Sequence, residues 1–129
     1  MAEPARRRRK RAVVYPTAED PGLKLAERLE GLRYSLGNNQ VAEMLGVSKS
    51  QPSRWSSGKD KITPENQRRL IDLDYVMTRL LRVCTPQMAA IWLASYNPHL
   101  RGVPAHVLQL EGARAVIEAI DLHEAGAYV

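Results

Sequence analysis

Phenylalanine is missing from this sequence, and aromatic residues make up only 5% of it. Sandwiches and barrels of β-strands draw heavily on aromatic and β-branched side chains, so the core here falls to Leu, Ile, Val, Ala and Met, the palette of a helical protein. Cysteine occurs once, at Cys84, which rules out a disulfide within the chain and any cysteine metal cluster. Cys84 lies on an apolar helical stripe and reads as a core residue. No apolar run approaches the roughly 18 residues that a membrane-spanning helix needs. Ala12-Val13-Val14-Tyr15 is too short for the core of a secretory signal. A cytoplasmic protein with no membrane contact is the expectation.

What is present is positive charge, unevenly placed. Residues 1–82 hold 17 Lys/Arg against 10 Asp/Glu, a net +7, whereas residues 83–129 hold 2 against 4, a net −2. The first two thirds should attract polyanions and the last third should not. Arg6, Arg7, Arg8, Arg9, Lys10 and Arg11 form an unbroken run of cations within residues 1–19, a segment without apolar periodicity that reads as a disordered basic arm.

Helical spacing dominates the rest, and an all-α fold is expected. Asp20-Pro21 is a helix-start signal, and Leu25, Leu29, Leu32 and Leu36 then share one face until Gly37-Asn38. From Gln40, the residues Val41, Ala42, Met44 and Leu45 fit a short amphipathic helix stopped by Gly46. Thr63-Pro64 and Thr85-Pro86 pair a capping hydroxyl with a proline at the first helical position. The first should open a long central helix to about residue 83. The second should open a helix whose apolar face is Met88, Ile91 and Trp92, with Ser95 at its end. Asn97-Pro98 stops it, Pro104 suits a short helix through Leu108, and Ala113, Val116, Ile117 and Ile120 give a last helix ending near Gly126. The expected organisation is an arm (1–19), a helix-turn-helix bundle (20–62), a connecting helix (63–84) and a small helical C-terminal domain (85–129).

The segment from Gln40 to Trp55 carries the helix-turn-helix reading. Two short helices can meet at a steep angle only where side chains are small and the chain turns sharply, and Ala42, Gly46 and Val47 supply this in the needed order. On the second helix Lys49, Ser50, Gln51, Ser53 and Arg54 offer groups suited to base edges: Arg to guanine, Gln to adenine, Ser to base or phosphate. Trp55 should pack inward. Pro52 is the awkward residue, since a proline deep in a helix costs about 3 kcal/mol. With Ser48 as cap it would displace only the first intrahelical bond; with Ser50 or Gln51 as cap it would sit in the first turn at almost no cost. Lys59, Lys61, Arg68 and Arg69 could touch phosphate, as could the arm, which could also enter a minor groove. Double-stranded DNA is the expected partner, placing the protein at the nucleoid.

Catalytic arrangements are absent from the pattern. His99, His106 and His123 lack metal-ligand spacing, and there is no phosphate-binding glycine loop, nucleophile motif or close carboxylate pair. The reading is a binding protein without cofactor or metal, not an enzyme.

From Arg69 onward the sequence resembles the Xre/MbcA/ParS antitoxin family. The residues that carry this are Arg69-Leu70-Ile71-Asp72-Leu73-Asp74-Tyr75-Val76, Ile91-Trp92-Leu93 with Asn97-Pro98-His99-Leu100, Gly102-Val103-Pro104, and Val116-Ile117-Glu118-Ala119-Ile120 with the end of the chain. The resemblance implies a C-terminal domain that binds a RES-domain toxin, an enzyme that degrades NAD⁺, together with repression of the protein's own operon as a homo-oligomer. It implies that Asn97, Pro98, Leu100 and Pro104 shape that domain, and that Gly126, Ala127, Tyr128 and Val129 approach the toxin. The long basic arm and Pro52 are not part of the family's pattern. They fit a second reading, a phage or mobile-element repressor that uses all its parts on DNA and has no toxin. A third reading is a protein-interaction adaptor with a polyanion-binding arm.

Overall fold

Proline at the first or second helical position starts four of the seven helices that the computed structural model describes, which covers residues 24–126. The elements are α1 (Leu25–Leu36), α2 (Asn38–Leu45), α3 (Gln51–Ser56), α4 (Pro64–Leu80), α5 (Pro86–Ala94), α6 (Pro104–Glu111) and α7 (Arg114–Glu124). The fold is all-helical, as its composition requires. The one extended feature among the described residues is an isolated bridge between Asn97 and Gly102. The arm, Asp20-Pro21 and residues 127–129 lie outside the described residues, but the helix expected to open at Asp20-Pro21 begins only at Leu25, because Lys24 before it is extended (φ -72°, ψ 151°).

Both threonine caps form as the sequence predicts. Thr63 Oγ1 accepts from the Asn66 N–H at 3.3 Å and Thr85 Oγ1 from the Met88 N–H at 3.2 Å, each satisfying a donor that has no partner inside its helix. Where the structure departs from the sequence reading, the reasons are local. α2 begins at Asn38, two residues early, because Gly37 alone, at φ 83° and ψ 159°, turns the chain from α1 into α2. α4 stops at Leu80 rather than near 83, so Cys84 lies beyond the helix, half-buried, its thiol donating to the Leu80 carbonyl at 3.3 Å.

The apolar face predicted for α5 is the wrong one. Ala89 and Leu93 are buried, Trp92 is half-buried, and Met88 and Ile91 stand 55% and 59% exposed. α5 has no charged residue and is apolar on every side, so its sequence cannot say which side faces in. Packing decides: α5 lies against α1, α2 and α6 with Ala89 and Leu93 fully buried.

The buried side chains form one cluster fed by every helix: Leu29 and Leu32 of α1, Val41, Met44 and Leu45 of α2, Trp55 of α3, Leu70, Leu73, Val76 and Met77 of α4, Leu93 of α5, Leu108 of α6, Val116 and Ile120 of α7. α2 packs against α5 and α6 as well as against α1, α3 and α4, so the C-terminal helices rest directly on α2. Gly46 marks the point of contact. It adopts φ 73°, a left-handed conformation that ends α2, and a Cβ there would lie 2.6 Å from Gln109 Oε1. Gln109 Nε2 donates to the Met44 carbonyl at 2.7 Å and the Glu43 carbonyl at 3.3 Å, so a side chain of α6 closes the end of α2.

One ion pair crosses the core. Arg28 of α1, 3% exposed, places Nη1 3.0 Å from Asp74 Oδ2 of α4. Burial pushes the Asp74 carboxyl above the usual carboxylate range, and Arg28 opposes that shift.

Candidate functional site

α3 is short and its two bulky residues face inward: Pro52 and Trp55 are both buried. The helix starts at Gln51 with Ser50 before it, the later of the two starts that the sequence left open. Pro52 is then the second helical residue, where a backbone N–H would have no partner in the helix, so its absence costs almost nothing. The rest of α3 is left to solvent. Lys49, Ser50, Ser53 and Arg54 are exposed and Gln51 is half-buried, all within one turn and one short helix. Lys59 and Lys61 are exposed in the loop that follows. Arg68 and Arg69 are engaged along α4, with Asp72 at 3.1 Å and Glu65 at 3.0 Å.

Asp60 organises this surface and was not singled out from the sequence. The loop folds back because the Lys59 and Asp60 N–H groups both donate to the Arg54 carbonyl, at 2.9 and 3.3 Å. The Asp60 carboxylate then accepts from Arg54 Nε at 2.7 Å, Arg54 Nη2 at 3.2 Å and Gln51 Nε2 at 2.9 Å. Arg54 and then Gln51 hold this carboxyl below the usual carboxylate range, so it is ionised near neutrality. Arg33 braces the other end of α3: its Nη1 lies 2.6 Å from Ser56 Oγ and 2.7 Å from Glu30 Oε1, and its Nε 2.7 Å from Asn38 Oδ1.

A second surface lies at the far end of the chain. An open groove of about 310 Å³ runs between the turn after α4, the outer side of α5 and the end of α7, lined by Val83, Cys84, Met88, Ile91, Trp92 and His123 among others. Val83, at 51% exposed, adds to the apolar rim. Gly126 follows α7 in a left-handed conformation, three residues beyond His123, and from there the chain runs on into 127–129. Among the other residues the sequence marked, Asn97 is buried and pins its loop: its Oδ1 accepts from the Leu100 N–H at 3.1 Å, and its backbone pairs with Gly102. Leu100 packs on the core, Pro104 is buried at the start of α6, and Pro98 is exposed.

Among the described residues no three His, Cys, Asp or Glu side chains come together as metal ligands, and no helix is long and apolar enough to cross a membrane. The molecule is an all-helical protein with a polar, hydrogen-bonding surface on one short helix and an apolar, uncharged one on another.

Comparison with known proteins narrows that class. No family model matches the chain. The mycobacterial cidal antitoxin MbcA of Mycobacterium tuberculosis (strain H37Rv) is 29% identical over 100 residues, 75% of this chain and 87% of that protein. MbcA of Mycobacterium bovis matches to the same extent. Among solved structures, a chain in the crystal structure of the M. tuberculosis MbcT–MbcA toxin–antitoxin complex superposes with a TM-score of 0.65 at 29% identity, covering 81% of this chain and 97% of that one. In sequence and in backbone the chain is MbcA-like, of the antitoxin type.

Proposed function

We propose that this chain is the antitoxin of a toxin–antitoxin pair and represses its own operon. The observation that carries the first half is the shared fold and 29% identity with a chain of the MbcT–MbcA complex over nearly all of that chain. The toxin partner, on this reading, is a RES-domain enzyme that degrades NAD⁺. Residues 85–129 face it, with Gly126, Ala127, Tyr128 and Val129 reaching its pocket and the apolar groove beside His123 forming the body of the contact. An uncharged, half-exposed Met and Ile side by side gain about 25 cal/mol for each Å² that a partner covers, which supports a contact there.

The DNA half rests on the α2–α3 pair. Residues 20–62 read the major groove through Gln51, Ser53 and Arg54, with Lys49 and Ser50 at the helix entry. Lys59, Lys61 and the Arg6 to Arg11 run neutralise phosphate, and residues 63–84 connect the two functions. A homo-oligomer would present two readers to successive turns of one duplex. Neither role calls for catalysis or a cofactor.

The test is growth. The full chain and a version ending at Ala125 are each co-expressed with the product of the adjacent gene in a host that this product arrests. Rescue by the full chain and failure by the truncated one is the expected result. No rescue by the full chain, with operator binding intact, would leave a dedicated repressor instead; equal rescue by both would remove the tail's role.

A further inference from the structure

Arg54 is an odd choice for a phosphate contact. Its charge is already balanced by Asp60 at 2.7 Å, so the pair as a whole offers a polyanion no net attraction. What the pair retains is direction. A guanidinium has five N–H donors in a rigid fork, and Asp60 takes two of them side-on, the Nε–H and one N–H of Nη2. The second N–H of Nη2 and the N–H of Nη1 beside it are left free on the adjacent, end-on edge. That edge has the spacing to meet O6 and N7 of guanine together. Gln51, three residues earlier on the same helix face, gives one amide N–H to the same carboxylate and keeps one N–H and its carbonyl oxygen, the combination that adenine N6 and N7 require.

We propose that Asp60 is a positioning residue for base recognition: it holds Arg54 end-on to a guanine in the major groove and Gln51 toward the neighbouring base. The inference rests on the DNA-reading role given above and adds to it the base read and the residue that fixes the reader. Ordering a free arginine costs rotamer entropy, and here most of that ordering precedes contact with DNA. The device also selects against misplacement, because a carboxylate six residues from Arg54 repels phosphate if the helix docks off register.

The experiment uses the full chain and a duplex library with a randomised 20-base-pair centre. Wild type, Asp60→Asn and Arg54→Ala are compared on the duplex that wild type enriches, with each guanine replaced in turn by 7-deazaguanine, which lacks N7. One guanine should stand out, weakening wild-type binding about tenfold or more through the loss of a charge-assisted hydrogen bond. Arg54→Ala should be indifferent to that replacement. Asp60→Asn should show a penalty several-fold smaller than wild type while binding scrambled duplex as well or better, since it has lost a negative charge. A penalty in Asp60→Asn equal to that of wild type, or one that persists in Arg54→Ala, overturns the proposal while leaving DNA reading in place. Failure of wild type to enrich any duplex overturns DNA reading itself, and the proposal with it. Matching far-ultraviolet spectra and melting curves for the three proteins exclude misfolding as the cause.

Discussion

Replacing Gly46 by Ala tests how firmly the C-terminal helices hold the α2–α3 turn. Two costs can be separated in advance. At φ 73° an L-residue sits in the left-handed region, at roughly 1–2 kcal/mol. The new methyl would also lie 2.6 Å from Gln109 Oε1 and 3.0 Å from its Cδ, inside van der Waals contact, so the Gln109 side chain has to swing away. It then gives up its bonds to the Met44 and Glu43 carbonyls, a net loss of about 1 kcal/mol. Gly46→Ala should therefore cost about 2–3 kcal/mol and Gln109→Ala alone about 1 kcal/mol. The double variant should cost no more than Gly46→Ala, because the bond can be lost only once. Urea unfolding of the four proteins gives the coupling, expected near −1 kcal/mol with an unchanged denaturant slope. In thermal melts each kcal/mol corresponds to about 4 °C for a chain of this size. If the two single effects add to within about 0.3 kcal/mol, the contact between α6 and the end of α2 is not energetic, and the picture of a braced turn fails.

Two further outcomes follow from burial. Arg28→Met should cost about 3 kcal/mol at pH 7, because it strands a carboxylate within the fold. Burial raises the Asp74 pKa, so the native state binds this proton more readily than the unfolded chain does, and stability is lost as pH rises through the raised range. Without the guanidinium that range moves higher still, so the deficit measured by urea unfolding should narrow from pH 7 toward pH 4; a deficit that widened on acidification would contradict the assignment. On α5, Leu93→Ala should cost about 2–5 kcal/mol, whereas Met88→Ser or Ile91→Ser should stay within about 0.5 kcal/mol in thermal melts. The serine variants should nonetheless weaken toxin neutralisation, and a large loss of stability in either would mean that α5 turns Met88 and Ile91 to the core.

Most of the helix starts were legible because they depend on adjacent residues. Thr63-Pro64 and Thr85-Pro86 each bring cap and first residue together, and Gly46 is the natural residue for the left-handed turn it makes. The inward direction of Trp55 was also readable, whereas the start of α3 was narrowed only to two choices, of which the later places Pro52 where its missing donor is harmless. The face of α5 was not legible, because a helix apolar all round has no side that periodicity can pick. Asp60 was missed for a different reason. It sits six residues past Arg54, a spacing that brings nothing together on a continuing helix, and only the reversal through Gly58 carries its carboxylate back over α3. A carboxylate in the loop just after a short helix ended by glycine is the signal that could have pointed to it. The Gln109 contact, 65 residues from Met44, leaves no trace in any local pattern.

That last contact also sets an order of events during synthesis. α2 is complete when Leu45 has been added, but the side chain that closes it belongs to a helix made some 65 residues later. At about 5–20 residues per second the wait is roughly 3–13 s. For that interval the α2 segment lacks the packing that α5 and α6 give it in the finished fold. A chaperone or protease that samples unfinished chains therefore meets a target that the finished protein no longer displays.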